Sequence, residues 1–454
     1  MLQVIILAAG EGRRMNSARP KVLQPIGGRP MLEHLIDSVA ELQPERVHVV
    51  IGAGAEQVRE ALSDSSCEFV VQSERLGTGH AAAQALPAID PAARVLVLPG
   101  DMPLVQAETL KTLLAVDADL AVLSFHAEDP TGYGRILRDQ TGAVSAIREE
   151  KDASDQERQV QEVNSGVLAA DARSLADWLS RLNADNAQGE YYLTDCIGLA
   201  SDEGLAVRAV MAEQSDELLG ANDRAQLANL EQVYQRRARL ALMQAGATLA
   251  DPDSVQIRGK IELGQDVFID CNVTLIGRVS LGDGVQVGTG CVLQDVRLAA
   301  GTELKPYCVV EEATTLGACS VGPFARLRPG TELGPEVKIG NFVETKNARF
   351  AQGAKASHLS YIGDAEVGAD ANLGAGTITC NYDGVNKHRT QIGAGAFVGS
   401  NSALVAPVKV GDSAVVGAGT VLTRDAPDGE LTVARARQRS ITGWSRPEKK
   451  KREP

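Results

Sequence analysis

Leu7-Ala8-Ala9-Gly10-Glu11-Gly12-Arg13-Arg14-Met15 directly follows an apolar run that begins at Val4, and it leads on to Pro20-Lys21. Glycines at the end of a strand let backbone N–H groups approach a phosphate, and Arg14 and Lys21 add cations. The segment is not a dinucleotide fingerprint, because Met15 stands at the third glycine position. It is not a P-loop either, because no Gly-Lys-Ser/Thr follows. A strand–Gly–x–Gly turn is also used for purely structural ends, so the pattern alone leaves both readings open. Asp101 closes a second apolar run in Val97-Leu98-Pro99-Gly100-Asp101, where a bare aspartate is more often a turn or cap residue. The chain has only 6 His, one of which is His358 in Lys355-Ala356-Ser357-His358-Leu359-Ser360-Tyr361. A neutral imidazole near pH 7 suits a general base. On composition alone, a solvated or structural histidine is the commoner case.

The elements around these residues fall into two kinds. In the first half, Val4-Ile5-Ile6-Leu7, Val47 to Ile51 and Val95 to Leu98 are short apolar runs that lead into glycine-bearing turns. Helical patterns lie between them, at Met31–Leu42 and Thr109–Ala115. That alternation predicts a mostly parallel sheet with helices on both faces and ligands at the carboxyl ends of its strands. Arg224–Ala245 is dense in helix formers, with apolar residues at helical spacing, and ends at Gly246; it predicts a long connecting helix. The expected division is 1–223, a linker helix 224–245, and 246–454.

The second half repeats every six residues. Leu263, Ile269, Leu275, Leu281, Val287 and Leu293 are six apart, as are Ile392, Val398, Leu404, Val410, Val416 and Leu422. Val267, Val273, Val279 and Val285 form a second stripe. Period six fits neither a helix nor a plain strand. It fits a parallel β-helix in which six residues make a face, three faces make a coil, and the aliphatic residue points into the prism. Glycine often follows that residue, as in Leu263-Gly264 and Val398-Gly399, and is expected to supply corner geometry. The stretch Thr379–Arg389 carries no hexad and predicts a loop thrown out from one coil.

Composition sets outer limits. Hydrophobic residues at 44% and charged residues at 23% describe an ordinary globular chain. A net charge of −14 argues against a nucleic-acid binder. The 7 Cys form no C-x-x-C pair, which favours reduced thiols in a cytoplasmic setting. No stretch approaches the ~20 apolar residues of a membrane span. The tail Lys449-Lys450-Lys451-Arg452 is basic and reads as a solvated end rather than an anion-binding arm.

The L-A-A-G-x-G-x-R-M pattern with Pro20-Lys21, and the strand end at Asp101, resemble the sugar-phosphate nucleotidyltransferases. The resemblance narrows with Gln72–Ala81, Gly132-Tyr133-Gly134-Arg135-Ile136, Glu162-Val163-Asn164-Ser165-Gly166, Gln188–Asp195 and Gly220-Ala221-Asn222-Asp223-Arg224. In order, and joined to the hexapeptide half, these segments resemble the bifunctional N-acetylglucosamine-1-phosphate uridyltransferase/glucosamine-1-phosphate acetyltransferase family nearly end to end.

That resemblance implies a Rossmann-like α/β nucleotidyltransferase domain with a mostly parallel sheet, a long linker helix, and a C-terminal left-handed parallel β-helix. It implies that Leu7, Ala8, Ala9, Gly10, Pro99 and Gly100 contact substrate, and that Gln72, Gly77 and Thr78 hold uracil. Arg14 and Lys21 would hold the phosphates as catalytic cations. Asp101 and Asn222 would bind Mg²⁺, and Gly134, Glu149 and Asn164 would position N-acetylglucosamine. In the second half it implies His358 as the base, and Arg328, Lys346, Tyr361 and Asn372, joined by Lys387, as the amino-sugar phosphate site. Ala375, Asn381, Tyr382, Ser400, Ala418 and Arg435 would contact acetyl-CoA. The co-substrates implied are UTP and acetyl-CoA acting on N-acetylglucosamine-1-phosphate and glucosamine-1-phosphate. The assembly implied is a homotrimer through the β-helix, with neither nucleic acid nor membrane as partner.

Two positions depart from the family. Many members carry Lys where this chain has Glu11, and some carry Tyr where it has Pro99. An acid beside a triphosphate weakens binding unless it points outward. Two other functions remain in competition. One is a nucleotidyltransferase whose β-helix serves only assembly or regulation, which His358 and the Asn381-Tyr382 loop argue against. The other is a binding scaffold that has lost catalysis, which Arg14, Lys21, Asp101 and Asn222 argue against.

Overall fold

The structure, a computed structural model, describes residues 1–447. The basic segment Lys449–Arg452 lies outside the described residues. The described chain forms two compact units, Met1–Ala238 and a second that begins at Arg239.

Among the described residues, nine strands form the sheet of the first unit. In chain order they are β1 (Leu2–Ala8), β2 (Arg46–Ile51), β3 (Glu68–Val71), β4 (Arg94–Pro99), β5 (Leu120–His126), β6 (Arg135–Arg138), β7 (Val144–Arg148), β8 (Glu162–Asp171) and β9 (Val207–Met211). The main path runs β9-β5-β8-β4-β1-β2-β3, and β6 joins β8 and pairs with β7. The contacts of β1 with β2 and β4, of β2 with β3 and of β5 with β9 are parallel; β8 runs antiparallel to both its neighbours on the main path.

The strands read as unbroken apolar runs because both faces of the sheet are covered. Alternate residues divide between two cores. Val4, Ile6, Leu96 and Leu98 pack on one face, while Ile5, Val95 and Val97 pack on the other. The parallel register sets Leu7 of β1 opposite Pro99 of β4, and the Gly100 N–H donates to the Leu7 carbonyl at 2.9 Å. The two chemistry-bearing strand ends therefore lie side by side. The helix Arg224–Gln244 begins in this unit, where its Leu230 and Val233 pack with Met15, Ile26 and Met31.

The second unit is a parallel solenoid. Ile269 pairs with Val287 and Val287 with Leu304, one residue per coil, and all three are buried. Leu275 and Leu293 stack in the same way on another face. The glycines after these aliphatic positions answer to a different constraint from the one anticipated. Gly264 and Gly399 do not have positive φ. A Cβ on Gly264 would come within 2.5 Å of the Asp283 backbone N, and one on Gly399 within 2.4 Å of the Ala418 backbone N. Glycine is needed there because the next coil stacks too close for a side chain, not for dihedral freedom. The loop without a hexad joins Ile378–Cys380 to Thr390–Ile392. Among the described residues, no helix is long and apolar enough to cross a membrane.

Candidate active sites

A cavity of about 770 Å³ opens at the carboxyl ends of β1 and β4. Its wall holds Leu7, Ala9, Gly10, Lys21, Gln72, Gly77, Thr78, Pro99, Asp101, Gly134, Glu149, Asn164 and Asn222. Residues scattered over more than two hundred positions thus meet in one place. Ala8 and Gly100 are buried beside the wall. Arg14 is exposed and not among the wall residues, whereas Arg13 and Arg75 are.

Each wall residue has a local cause. Gly12 is left-handed at φ +60, and a Cβ on it would lie 2.6 Å from Lys21 Cβ. Only glycine lets the loop close onto Lys21. Lys21 Nζ then donates to Asp101 Oδ2 at 2.5 Å and to Asn222 Oδ1 at 3.0 Å. Two hard oxygens therefore converge on one cation position, with the Lys21 ammonium between them. One carboxylate and one amide oxygen, completed by phosphate oxygens and water, suit Mg²⁺.

Gln72 is buried, and its Nε2 reaches the Gly77 carbonyl at 3.2 Å and His80 Nδ1 at 3.0 Å. Gly77 needs positive φ (+108), and a Cβ there would strike the Tyr191 carbonyl at 2.5 Å. Thr78 Oγ1 accepts from the Leu193 N–H at 3.0 Å. Asn164 N–H donates to the Gly134 carbonyl at 2.8 Å, and Asn164 Oδ1 accepts from Gly166 N–H at 3.0 Å. Glu149 Oε1 accepts from Thr194 Oγ1 at 2.8 Å, and burial pushes its carboxyl above the usual range.

The second unit carries its candidates along one corner. Backbone hydrogen bonds link successive coils from Leu359 to Asn341, Gly376 to His358, Asn401 to Ala375 and Gly419 to Ser400. His358, Ala375, Ser400 and Ala418 therefore stack in a single column. Arg435 extends it by donating to the Ala418 carbonyl at 2.6 Å. His358 is exposed, with Nδ1 at 2.6 Å from Asn341 Oδ1. An amide oxygen accepts only, so Nδ1 carries the proton and Nε2 presents a lone pair.

Arg328, Lys346 and Lys387 come together. The Lys387 ammonium, and then the Arg328 guanidinium, hold Lys346 below the usual lysine range. Cations that crowd one another in this way form a site for an anion. Arg328 is steadied by Glu344 at 2.8 Å. Tyr361 OH lies 3.5 Å from Asn381 Nδ2, and Asp364 accepts from Asn381 at 2.5 Å and from Asn347 at 2.6 Å. Asn372 pairs with Lys355 on the adjacent coil. Tyr382, exposed in the loop, donates to the Gly384 carbonyl at 2.5 Å.

The motifs did not single out Arg13, Arg75, Asn341 or Asp364. Asn341 carried a signal: it precedes His358 by 17 residues, one coil of the solenoid. Arg75 lies inside the quoted Gln72–Ala81 segment, but nothing in the spacing ties it to Glu11.

Comparison with known proteins agrees with both halves. The MobA-like NTP transferase domain family matches residues 4–190, and the hexapeptide repeat of succinyl-transferase matches residues 389–424. The bifunctional protein GlmU of Marinobacter nauticus is 53% identical over 450 residues, 99% of each chain. That of Alkalilimnicola ehrlichii is 55% identical over 447 residues, 98% of this chain and 96% of the relative. That of Stenotrophomonas maltophilia is 54% identical over 450 residues, 99% of each. With such identity sustained along essentially the whole length, and with a nucleotidyltransferase unit and a hexapeptide solenoid in the same order, the chain belongs to the GlmU family of bifunctional uridyltransferase–acetyltransferases.

Proposed function

We propose that the chain makes UDP-N-acetylglucosamine in two steps, acetylating glucosamine-1-phosphate in the solenoid and uridylating the product in the first unit. The observation that carries this function is the assembly, within one chain, of two residue sets that each suit one of the two chemistries. The activities are assigned to 1–223 and 246–454, with 224–245 as the linker helix.

In the first step, His358 Nε2 takes a proton from the substrate ammonium, and the freed amine attacks the thioester carbon of acetyl-CoA. The C–S bond then breaks, the CoA thiolate leaves, and it takes up the second proton that the attacking nitrogen gives up as the amide forms. Asn341 holds the imidazole tautomer that can do this. Arg328, Lys346 and Lys387 bind the sugar phosphate, with Tyr361 and Asn372 beside it. The small residues Ala375, Ser400 and Ala418 let the pantetheine arm lie along the column, Arg435 meets a CoA phosphate, and Asn381 and Tyr382 flank the thioester end.

In the second step, a phosphate oxygen of N-acetylglucosamine-1-phosphate attacks the α-phosphorus of UTP in line, and pyrophosphate leaves. Mg²⁺ held by Asp101 and Asn222 would neutralise charge that builds on the phosphates. Lys21 aligns the phosphates, with Arg14 as a second cation on the same loop. Gln72, Gly77 and Thr78 fix uracil, and Gly134, Glu149 and Asn164 place the sugar. The setting is cytoplasmic, where all four substrates are small soluble molecules.

Mass spectrometry tests this directly. Purified protein given glucosamine-1-phosphate, acetyl-CoA, UTP and Mg²⁺ is expected to yield UDP-N-acetylglucosamine, CoA and pyrophosphate. Product formed only from N-acetylglucosamine-1-phosphate would reduce the solenoid to a scaffold.

Glu149 gives a test with an opposite sign for stability and function. A raised native pKa means that the folded state pays to keep this carboxylate charged. The penalty is full above the native pKa and disappears below the unfolded value near ~4.3. Glu149→Gln is therefore expected to melt higher than the parent at neutral pH and to lose that advantage as pH falls. It is also expected to raise KM for N-acetylglucosamine-1-phosphate about tenfold, the worth of one charged hydrogen bond. Melting curves at several pH values and steady-state kinetics check both.

The homotrimer, with each acetyl site completed by a neighbouring subunit, is supported by the same corner. Tyr307, Phe324, Phe342 and Leu359 occupy its left-handed positions on successive coils, and all four are exposed. The three aromatic rings stack nearly parallel at 5.2 and 5.4 Å. Large apolar side chains exposed in a row along such a corner suit burial against a partner surface. Leu359 adjoins His358, so the exposed ladder runs up to the residue proposed as the base. The double variant Phe324→Asp/Phe342→Asp is expected to sediment as a smaller species and to lose acetyl transfer at least ~10-fold. Uridylyl transfer should persist. Unchanged sedimentation would place the interface on another face.

A further inference from the structure

Glu11 does not point away from the cavity. Its Oε1 pairs with Arg75 Nη1 and its Oε2 with Arg13 Nε, so one carboxylate bridges two guanidiniums. All three residues line the cavity, beside Gly10 and Lys21. They come from separate segments: Glu11 and Arg13 from the loop after β1, Arg75 from the loop after β3. Arg75 and Arg13, in that order, hold the Glu11 carboxyl below the usual range.

We propose that Glu11 is a positioning residue, which holds Arg75 and Arg13 as a clamp for the outer phosphates of the nucleoside triphosphate. This inference rests on the uridyltransferase function proposed above. The charges favour it. Within the cluster two guanidiniums outweigh the one carboxylate, which leaves one net positive charge beside Lys21. Each guanidinium has five N–H donors in a planar fork. Glu11 engages one nitrogen of each, and the rest remain for phosphate oxygens. Lys21, by contrast, is already bound to Asp101 and Asn222. Arg13 has 86% of its side chain exposed, so without the tether it would sample many rotamers and lose entropy on binding. A cation fixed in advance binds a triphosphate better than a free one, even at the cost of a nearby acid.

The proposal predicts a sign that simple repulsion does not. If Glu11 only repelled phosphate, removing its charge would strengthen binding. As a tether, Glu11→Gln is expected to raise KM for UTP about fivefold, and Arg75→Gln about tenfold, since tenfold is ~1.4 kcal/mol and within the range of one charge-assisted contact. KM for N-acetylglucosamine-1-phosphate and acetyl transfer, which depend on other residues, should hardly change. With Arg13→Gln and Arg75→Gln already in place, Glu11→Gln should instead lower KM for UTP, because repulsion is then all that remains. That change of sign is the coupling a double-mutant cycle measures.

Calorimetry with inorganic pyrophosphate on the full chain separates the clamp from the overall function. Weaker pyrophosphate binding in both Glu11→Gln and Arg75→Gln upholds the clamp, even if UTP were not the substrate. A wild-type chain that releases no pyrophosphate from UTP would overturn the uridyltransferase function alone. Unchanged or tighter binding of UTP and pyrophosphate in Glu11→Gln overturns the clamp alone.

Discussion

Asp101→Ala is expected to lower uridylyl transfer about 1000-fold, the scale of losing a fixed charge partner at a phosphoryl centre, while acetyl transfer stays within about twofold of the parent. Asp101 supplies one of the two oxygens that converge on the Lys21 ammonium, at 2.5 Å, and Asn222 supplies the other, at 3.0 Å. Its removal leaves the amide as the only one of these donors and takes away the anchor that aims Lys21 into the cavity. Both losses fall on the same transition state, so kcat should drop more than KM for UTP rises. Asp101 follows a strand end whose backbone is fixed by Gly100 N–H to the Leu7 carbonyl, so the fold should survive. The checks are pyrophosphate release with UTP and N-acetylglucosamine-1-phosphate, thioester loss with acetyl-CoA and glucosamine-1-phosphate, and a melting curve. Asn222→Ala should follow the same pattern with a smaller loss, because a neutral amide contributes less than a carboxylate. Joint loss of both activities without unfolding would mean that the two sites are not independent.

Periodic features were the most readable from sequence, because period is a property that packing imposes residue by residue. The six-residue stripe is buried from Ile269 to Leu293, with Ile269, Val287 and Leu293 fully enclosed, while Leu263 at its start is only half-buried. The reason for its glycines was not readable, since the clash at Gly399 comes from Ala418 on the next coil, nineteen positions away. From the residues alone the turn after Leu7 is open between phosphate contact and a structural end, and Asp101 reads as a turn or cap residue; the metal role expected of it comes from the family resemblance. The antiparallel direction of β8 could not be read either, since strand direction depends on how connections cross the sheet. Ion pairs between distant segments are hardest of all. Glu11 and Arg75 stand 64 positions apart, and neither has a pattern that points to the other. Glu11 was legible only as an acid in an awkward place. Its two arginine partners turn that awkwardness into a physical role.

His358→Ala is expected to have the complementary effect, lowering acetyl transfer about 1000-fold, within the range for loss of a general base, and leaving uridylyl transfer unchanged. The substrate nitrogen is an ammonium in neutral water and has no lone pair for the thioester. With Nδ1 committed to Asn341 Oδ1 at 2.6 Å, Nε2 is the atom that can accept its proton. Asn341→Ala should therefore also slow acetylation, though by less, because the imidazole survives but loses the bond that selects its tautomer. Added imidazole should restore part of the rate to His358→Ala and none to Asn341→Ala. The same variant should regain rate as pH rises, since solution then supplies the free amine that His358 no longer makes. KM for acetyl-CoA should stay put, because the column of Ala375, Ser400, Ala418 and Arg435 is untouched. A His358→Ala protein that acetylates at the parental rate would remove the imidazole from the mechanism. A variant that fails equally at all pH values, and ignores imidazole, would make His358 a residue that positions substrate and not the base.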